Sequence, residues 1–248
     1  MAVDFIDINV APVGNVIHSA IERFRSSFKA ICFLVLAINL PMNFVLELIP
    51  FNPEEGLGGV SEYYRAQSVL EFLFGTIAYL SILHIVLGAH HGEKVSAWEA
   101  FRRSAGNYGS ALWALFLSGL GLGVGLLLLV VPGIALFVLW LFALPMIVVG
   151  NASGGGSLGA SYRFVKGRWW RFAGRVLVLA GLQLAFILVL SLFSLALPET
   201  YLVGVVWMTV VDLGYAFFIV AVAELFLQSG GNQIEMELTV SGGETSSA

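Results

Sequence analysis

Residues 202–228 read LVGVVWMTVVDLGYAFFIVAVAELFLQ. Two carboxylates, Asp212 and Glu224, interrupt an otherwise apolar run. A bilayer core of about 30 Å needs about 20 apolar residues in a helix, so this stretch is long enough to cross one. The same test picks out five more stretches, at 28–49, 66–90, 108–131, 133–150 and 172–197. The composition agrees. Of 248 residues 58% are hydrophobic and 11% charged, against about 45–50% and about 25% in soluble domains. That excludes a soluble globular enzyme. Twelve Lys and Arg against 16 Asp and Glu leave no basic excess for nucleic acid, and one cysteine, Cys32, excludes a disulfide framework. The fold class expected is an all-α membrane protein with a single six-span domain over 1–228 and a polar cytoplasmic tail over 229–248.

Lys and Arg collect on the cytoplasmic side of short loops. They cluster here before the first span (Arg23, Arg25, Lys29), between the second and third (Lys94, Arg102, Arg103) and around the start of the fifth (Arg163, Lys166, Arg168, Arg171, Arg175). Of the 12, only Arg65 falls on the other side, among Glu54, Glu55 and Glu62. Both termini are therefore expected in the cytoplasm of a bacterial inner membrane. Asp4 and Asp7 stand where a signal peptide would be basic, so the first span is expected to stay as an anchor. In the tail, Ile234, Met236, Leu238 and Val240 alternate with polar residues. That period belongs to a half-buried strand, or the segment is simply a polar tail.

Each basic segment precedes a span and is patterned as an amphipathic helix. Leu158, Tyr162, Val165, Trp169 and Phe172 share one face, as do Ile17, Ile21, Phe24 and Phe28; Trp98, Phe101, Ala105 and Tyr108 form a looser version. Such helices fit the headgroup layer, with Trp169 and Trp170 at the acyl boundary and the cations on anionic phosphates. The plainer alternative is a pre-span linker made basic by orientation alone. The second and third segments align at an offset of 60, Ala100 with Ala160 and Arg103 with Arg163. Pro50 with Pro53, Pro132 and Pro198 stand at the expected hairpin turns. The chain thus reads as three repeats, about 16–92, 93–153 and 154–228, each a basic interfacial helix followed by a transmembrane hairpin.

Val-Pro-Gly-Ile at 131–134, Phe-Ala-Leu-Pro at 142–145 and Gly-Ala-Ser-Tyr-Arg-Phe-Val-Lys-Gly-Arg-Trp-Trp-Arg at 159–171 carry a family likeness. This stretch resembles the membrane domain of some glycerophosphodiester phosphodiesterases and the stand-alone YciC-type bacterial membrane proteins. The resemblance implies a six-helix integral membrane fold and no defined activity. In the phosphodiesterases the catalytic carboxylates and histidines belong to a separate soluble barrel, which this chain is not expected to hold.

Ionisable groups inside a span cost about 2.5–3.5 kcal/mol on insertion scales and are default candidates for function. Asp212 lies nearest the centre of its span. It is either a proton- or substrate-handling carboxylate, or one hydrogen bond joining helices, with His84, Asn39 or Asn43 as the partners within reach of the argument. Glu71 and Glu47 are expected at the outer boundary, and Glu224 at the inner end, beside an interfacial arginine. His84 and His91 share a helix face, which fits a wet helix end better than a metal site. Gly119, Gly121, Gly123 and Gly125 form small-xxx-small pairs for close helix approach. Pro41 and Pro145 are expected to kink their helices, and Gly154-Gly155-Gly156 to form a flexible connector.

No nucleophile–base pair, phosphate loop or metal motif stands out, so an enzyme is not expected, nor a cofactor or metal. Two functions remain. One is a non-enzymatic protein that binds or organises lipids, chiefly anionic, or scaffolds membrane partners through its basic helices, alone or as a homo-oligomer. The alternative is a small transporter or channel with Asp212 and His84 in a polar intramembrane cavity.

Overall fold

The computed structural model describes residues 9–49, 57–128, 130–150, 154–198 and 200–231. Among these every regular element is helical. Six helical segments are long and apolar enough to cross a membrane: Val13–Glu47, Glu62–His90, Ala97–Leu128, Val130–Gly150, Trp169–Ser194 and Tyr201–Gly231. The elements are α1 (Val13–Glu47), α2 (Leu57–Leu70), a π-helical turn (Glu71–Gly75), α3 (Thr76–His90), α4 (Ala97–Leu128), α5 (Val130–Trp140), α6 (Ala143–Gly150), α7 (Gly154–Val165), α8 (Trp169–Ser194), α9 (Tyr201–Phe226) and a second π-helical turn (Leu227–Gly231). The alternating segment 234–240 lies outside the described residues.

Local chemistry sets the helix ends. α3 stops in a Schellman motif: Gly92 takes φ of 77°, Glu93 N–H donates to Gly88 O at 2.8 Å, and Gly92 N–H to Ala89 O at 3.3 Å. α4 starts on a capping-box sequence, Ser96 with Glu99, where Ser96 Oγ accepts from Glu99 N–H at 3.2 Å. Gly167, at φ of 84°, separates α7 from α8.

That glycine corrects the expected repeat. Only the third basic segment forms a helix apart from its span. In the first two, basic segment and span are one uninterrupted helix, α1 and α4, because nothing between Arg23 and Phe28 or between Arg103 and Tyr108 takes the left-handed backbone that Gly167 supplies. The predicted face of the third segment also changes. Leu158 and Val165 are buried but Tyr162 is exposed, and the buried stripe of α7 runs Gly154, Ser157, Leu158, Ser161, Phe164, Val165. Nor is the glycine run a loose connector. Gly154–Gly156 is the first turn of α7, and a Cβ on Gly154 would lie 2.6 Å from Ser110 O, so the residue is there for close packing.

The helices group into two compact units. One holds the described residues of 1–22, 105–179 and 221–248; the other holds those of 23–104 and 180–220. The first unit packs around Phe142, Phe164, Phe172 and Phe226, all fully buried, with successive ring centroids 5.2–5.7 Å apart. Its fourth span is broken at Leu141–Phe142, one turn before Pro145, which has no N–H to bond back to Leu141. Ser161 bridges the break: its hydroxyl donates to Leu139 O at 2.7 Å and accepts from Phe142 N–H at 3.2 Å.

In the second unit α3 is the most buried helix, with Leu80, Ile82, Leu83, Ile85 and Val86 inside and the Ser81 hydroxyl 3.1 Å from that of Ser104. The third and fifth spans are the least buried. Leu127, Val131, Leu177, Leu192 and Leu195 stand exposed, as side chains facing lipid tails do.

Candidate functional site

The site lies in the second unit, built by α1, the α2–π–α3 span and α9. Asp212 is the twelfth residue of its span, roughly 16 Å along the axis from Tyr201 at 1.5 Å per residue, near the middle of a bilayer core. Asn43 Nδ2 donates to Asp212 Oδ2 at 2.7 Å and to Thr209 Oγ1 at 3.3 Å. Asn39 lies one turn back on α1, and its Oδ1 is buried without a partner among the described residues.

Asp212, Asn43 and Asn39 line a cavity of about 500 Å³. Tyr63, Gln67 and Glu71, spaced four apart, present a polar stripe along its α2 side, and Gln67 Nε2 donates to Glu71 at 2.7 Å. Tyr79 and Tyr215 add phenols, and Val35, Met42, Ile82, Val211 and Phe218 add apolar wall. Among the described residues the lining contains two carboxylates, Glu71 and Asp212, and no Lys, Arg or His. The π-helical turn begins at Glu71 and ends at Gly75, another lining residue. Such turns inside α-helices recur at functional sites, because the extra residue re-aims side chains. Pro41 sits within α1 between the two asparagines and leaves the Ala37 carbonyl without its helical donor.

Sequence reasoning named Asp212, Asn39, Asn43 and Glu71. It missed Thr209, Tyr63, Gln67, Tyr79 and Tyr215. Glu71, expected as an isolated boundary acid, belongs to the same cavity as Asp212. His84 does not line it; the imidazole Nε2 is buried without a hydrogen-bond partner among the described residues. Glu47 sits in a separate cleft of about 310 Å³ with Tyr201 and Trp207, close against Gly204. Glu224, in the first unit, is buried and accepts from Gln228 Nε2 at 3.2 Å. No three His, Cys, Asp or Glu side chains come together to hold a metal among the described residues.

The basic residues divide in two. Some hold the fold. Arg23 Nη1 donates to Ala89 O, at the end of α3, at 2.6 Å. Arg175 binds Val10 O at 3.0 Å and also Ala11 O and Arg171 O. Arg103 pairs with Glu99 at 2.7 Å and with Glu93 at 3.8 Å, and Arg168 donates to Phe164 O at 3.2 Å. Burial, and then the charge of Arg171, draw the Arg168 guanidinium below its ordinary pKa. Trp169 Nε1 donates to Ala135 O at 3.2 Å. Others face outward: Arg25, Lys29, Arg102, Arg163, Lys166 and Arg171 are exposed, and Trp170 is 81% exposed.

Comparison with protein-family models, with curated proteins and with solved structures finds no match to this chain.

Proposed function

We propose that this chain is a multi-pass protein of a bacterial inner membrane, with both termini in the cytoplasm, that admits a small polar solute to the cavity at Asp212 and passes it across the bilayer. The observation that carries this reading is that Asp212 is not sealed between helices but lines about 500 Å³ of space together with Asn39, Asn43 and Glu71. A carboxylate whose only task were to join two helices would need its bond from Asn43 and no cavity. The volume lies within the range of about 300–1,000 Å³ typical of small-molecule sites. The irregular backbone of the π-helical turn beside it, with Pro41 inside α1, resembles the arrangement transporters use where a site interrupts a helix. Kinship with the YciC-type proteins remains part of the proposal, on the motifs at 131–134 and 159–171 alone.

The test is uptake into proteoliposomes of three labelled solutes of different charge: agmatine, sorbitol and succinate. The wild-type protein should admit at least one of them above protein-free liposomes, and Asp212→Asn should abolish that uptake. Uptake of all three at the protein-free rate would refute the reading.

A second reading has its own observation. The exposed cations Arg25, Lys29, Arg102, Arg163, Lys166 and Arg171, with Trp98 and Trp170 exposed beside two of the clusters, fit retention of anionic lipid headgroups. Lipid organisation and solute passage are compatible in one protein, since they use different residues.

A further inference from the structure

The chemistry of the cavity wall limits what it can hold, and this argument rests on the reading of the cavity as the solute site. Its carboxamides are turned inward. The carboxamide N–H groups of Asn43 go to Asp212 and Thr209, and one of Gln67 goes to Glu71. Besides the hydroxyls of Tyr63, Tyr79 and Tyr215, what the wall offers are acceptors: two carboxylates, and Asn39 Oδ1, which is buried without a partner among the described residues. An anion would meet two carboxyl groups where the lining has no cationic side chain among the described residues. A neutral polyol could bond Asn39 but would leave carboxylate charge uncompensated in a low-dielectric setting, where an unpaired charge is costly. A cation with N–H groups answers both demands. It balances a carboxylate and donates to the orphaned carbonyl. Three phenols and the apolar wall suit a small hydrophobic or aromatic body, and a ring face also attracts a cation.

We propose that this cavity selects an organic cation that carries N–H donors on a small apolar body: an amidinium, a guanidinium or a protonated amine. Asp212 is the charge partner, Asn39 Oδ1 the neutral acceptor, and Glu71 the second carboxylate. A planar amidinium meets a carboxylate through two parallel N–H···O bonds, which gives direction as well as attraction.

The experiment is equilibrium dialysis of the full-length protein in detergent against three near-isosteres: benzamidine, benzamide and benzoate. Benzamidine should bind saturably and at least about tenfold more tightly than benzamide, the difference a charge-assisted pair supplies, with benzoate weakest. Asp212→Asn, which keeps the side-chain shape, should remove that preference. Glu71→Gln, at an exposed position, and Asn39→Leu should each weaken benzamidine by several-fold. These two variants decide the matter if Asp212→Asn does not fold. Equal binding of benzamidine and benzamide, preference for benzoate, no binding of any of the three, or benzamidine binding that ignores all three substitutions would overturn the proposal. Asp212-dependent uptake of sorbitol or succinate would leave the solute reading standing while removing the cation, so the two ideas fail separately.

Discussion

Asn43 and Asp212, 169 residues apart in the chain, are joined by a 2.7 Å hydrogen bond from carboxamide to carboxylate. The same carboxamide donates to Thr209 Oγ1 at 3.3 Å, so one side chain of α1 ties two positions of α9. Asn43→Leu removes both bonds and leaves a carboxylate in the span with one donor fewer. The expected cost is about 1–2 kcal/mol, at the upper end of what interhelical bonds contribute in membranes. Thr209→Val removes the longer interhelical bond, with the hydroxyl's bond to Val205 O inside α9, and should cost about 0.5–1 kcal/mol. Unfolding in a mild detergent titrated with SDS measures both. Equal losses would mean that the carboxylate bond contributes nothing beyond the hydroxyl one.

The break in the fourth span gives a second prediction. Ser161 Oγ serves Leu139 O and Phe142 N–H, two backbone groups that flank the break. Ser161→Ala strands both in a buried setting and should cost about 1–3 kcal/mol. Ser157→Ala, whose hydroxyl bonds only Gly154 O within its own helix, is the matched control and should cost about 0.5 kcal/mol or less. If both variants melt with the parent, the hydroxyl is not what stabilises the break.

Much of this is legible in the sequence, for reasons that differ residue by residue. Span length and apolarity are composition over about 20 residues, so the six candidate spans read directly. Asp212 announced itself by the cost of a carboxylate among Val211, Leu213 and their neighbours. The rest of the cavity was also encoded, at helical spacing: Tyr63, Gln67 and Glu71 step by four, and Met208, Asp212 and Tyr215 by four and three. Each stripe is weak alone because Tyr and Gln are ordinary near a membrane surface; only their convergence on one space distinguishes them. The backbone π turn at Glu71 has no residue signature. Arg23 and Arg175 misled because orientation rules count charges without asking whether a guanidinium serves a carbonyl. The helix over 154–165 was masked by three glycines, whose poor intrinsic propensity is overridden where Gly154 must pack against Ser110 and Trp113.

The glycines of α4 separate into two faces. A Cβ on Gly121 would meet the Trp140 ring at 2.4 Å, and one on Gly125 would lie 3.1 Å from Gly133 Cα; Gly119 and Gly123 have nothing within 4 Å. Gly121→Ala should therefore destabilise by about 1–3 kcal/mol, the range for overpacking. Gly119→Ala should be neutral or stabilise by up to about 1 kcal/mol, since it relieves only the poor helix propensity of glycine. Melting temperatures of the two variants compare them directly. A loss of stability in Gly119→Ala would point to a tight contact with a second copy of the chain on that open face.

Arg171 and Arg175, one helical turn apart on α8, should separate structural from lipid-directed charge. Arg175 reaches back to the carbonyls of Val10 and Ala11, and Ala11 N–H in turn donates to Ser229 Oγ at 3.2 Å, so the segment before α1 is held from two sides. Arg175→Gln should release it. The expected result is faster cleavage near residue 10 in limited proteolysis and a stability loss of about 1.5–3 kcal/mol, as for hydrogen bonds to charged groups. Lipid retention should not change. Arg163→Gln with Arg171→Gln, both at exposed guanidinium groups, should do the reverse. Each charge near an anionic surface is worth about 1 kcal/mol, so the pair should lower phosphatidylglycerol retention by roughly 30-fold with proteolysis unaltered. Native mass spectrometry after exchange into phosphatidylglycerol-containing detergent reads the lipid, and digestion reads the N-terminal segment. If Arg175→Gln strips lipid as strongly as the double variant, its bonds to Val10 and Ala11 yield to headgroups in the membrane, and the N-terminal segment is held there by lipid instead of by α8.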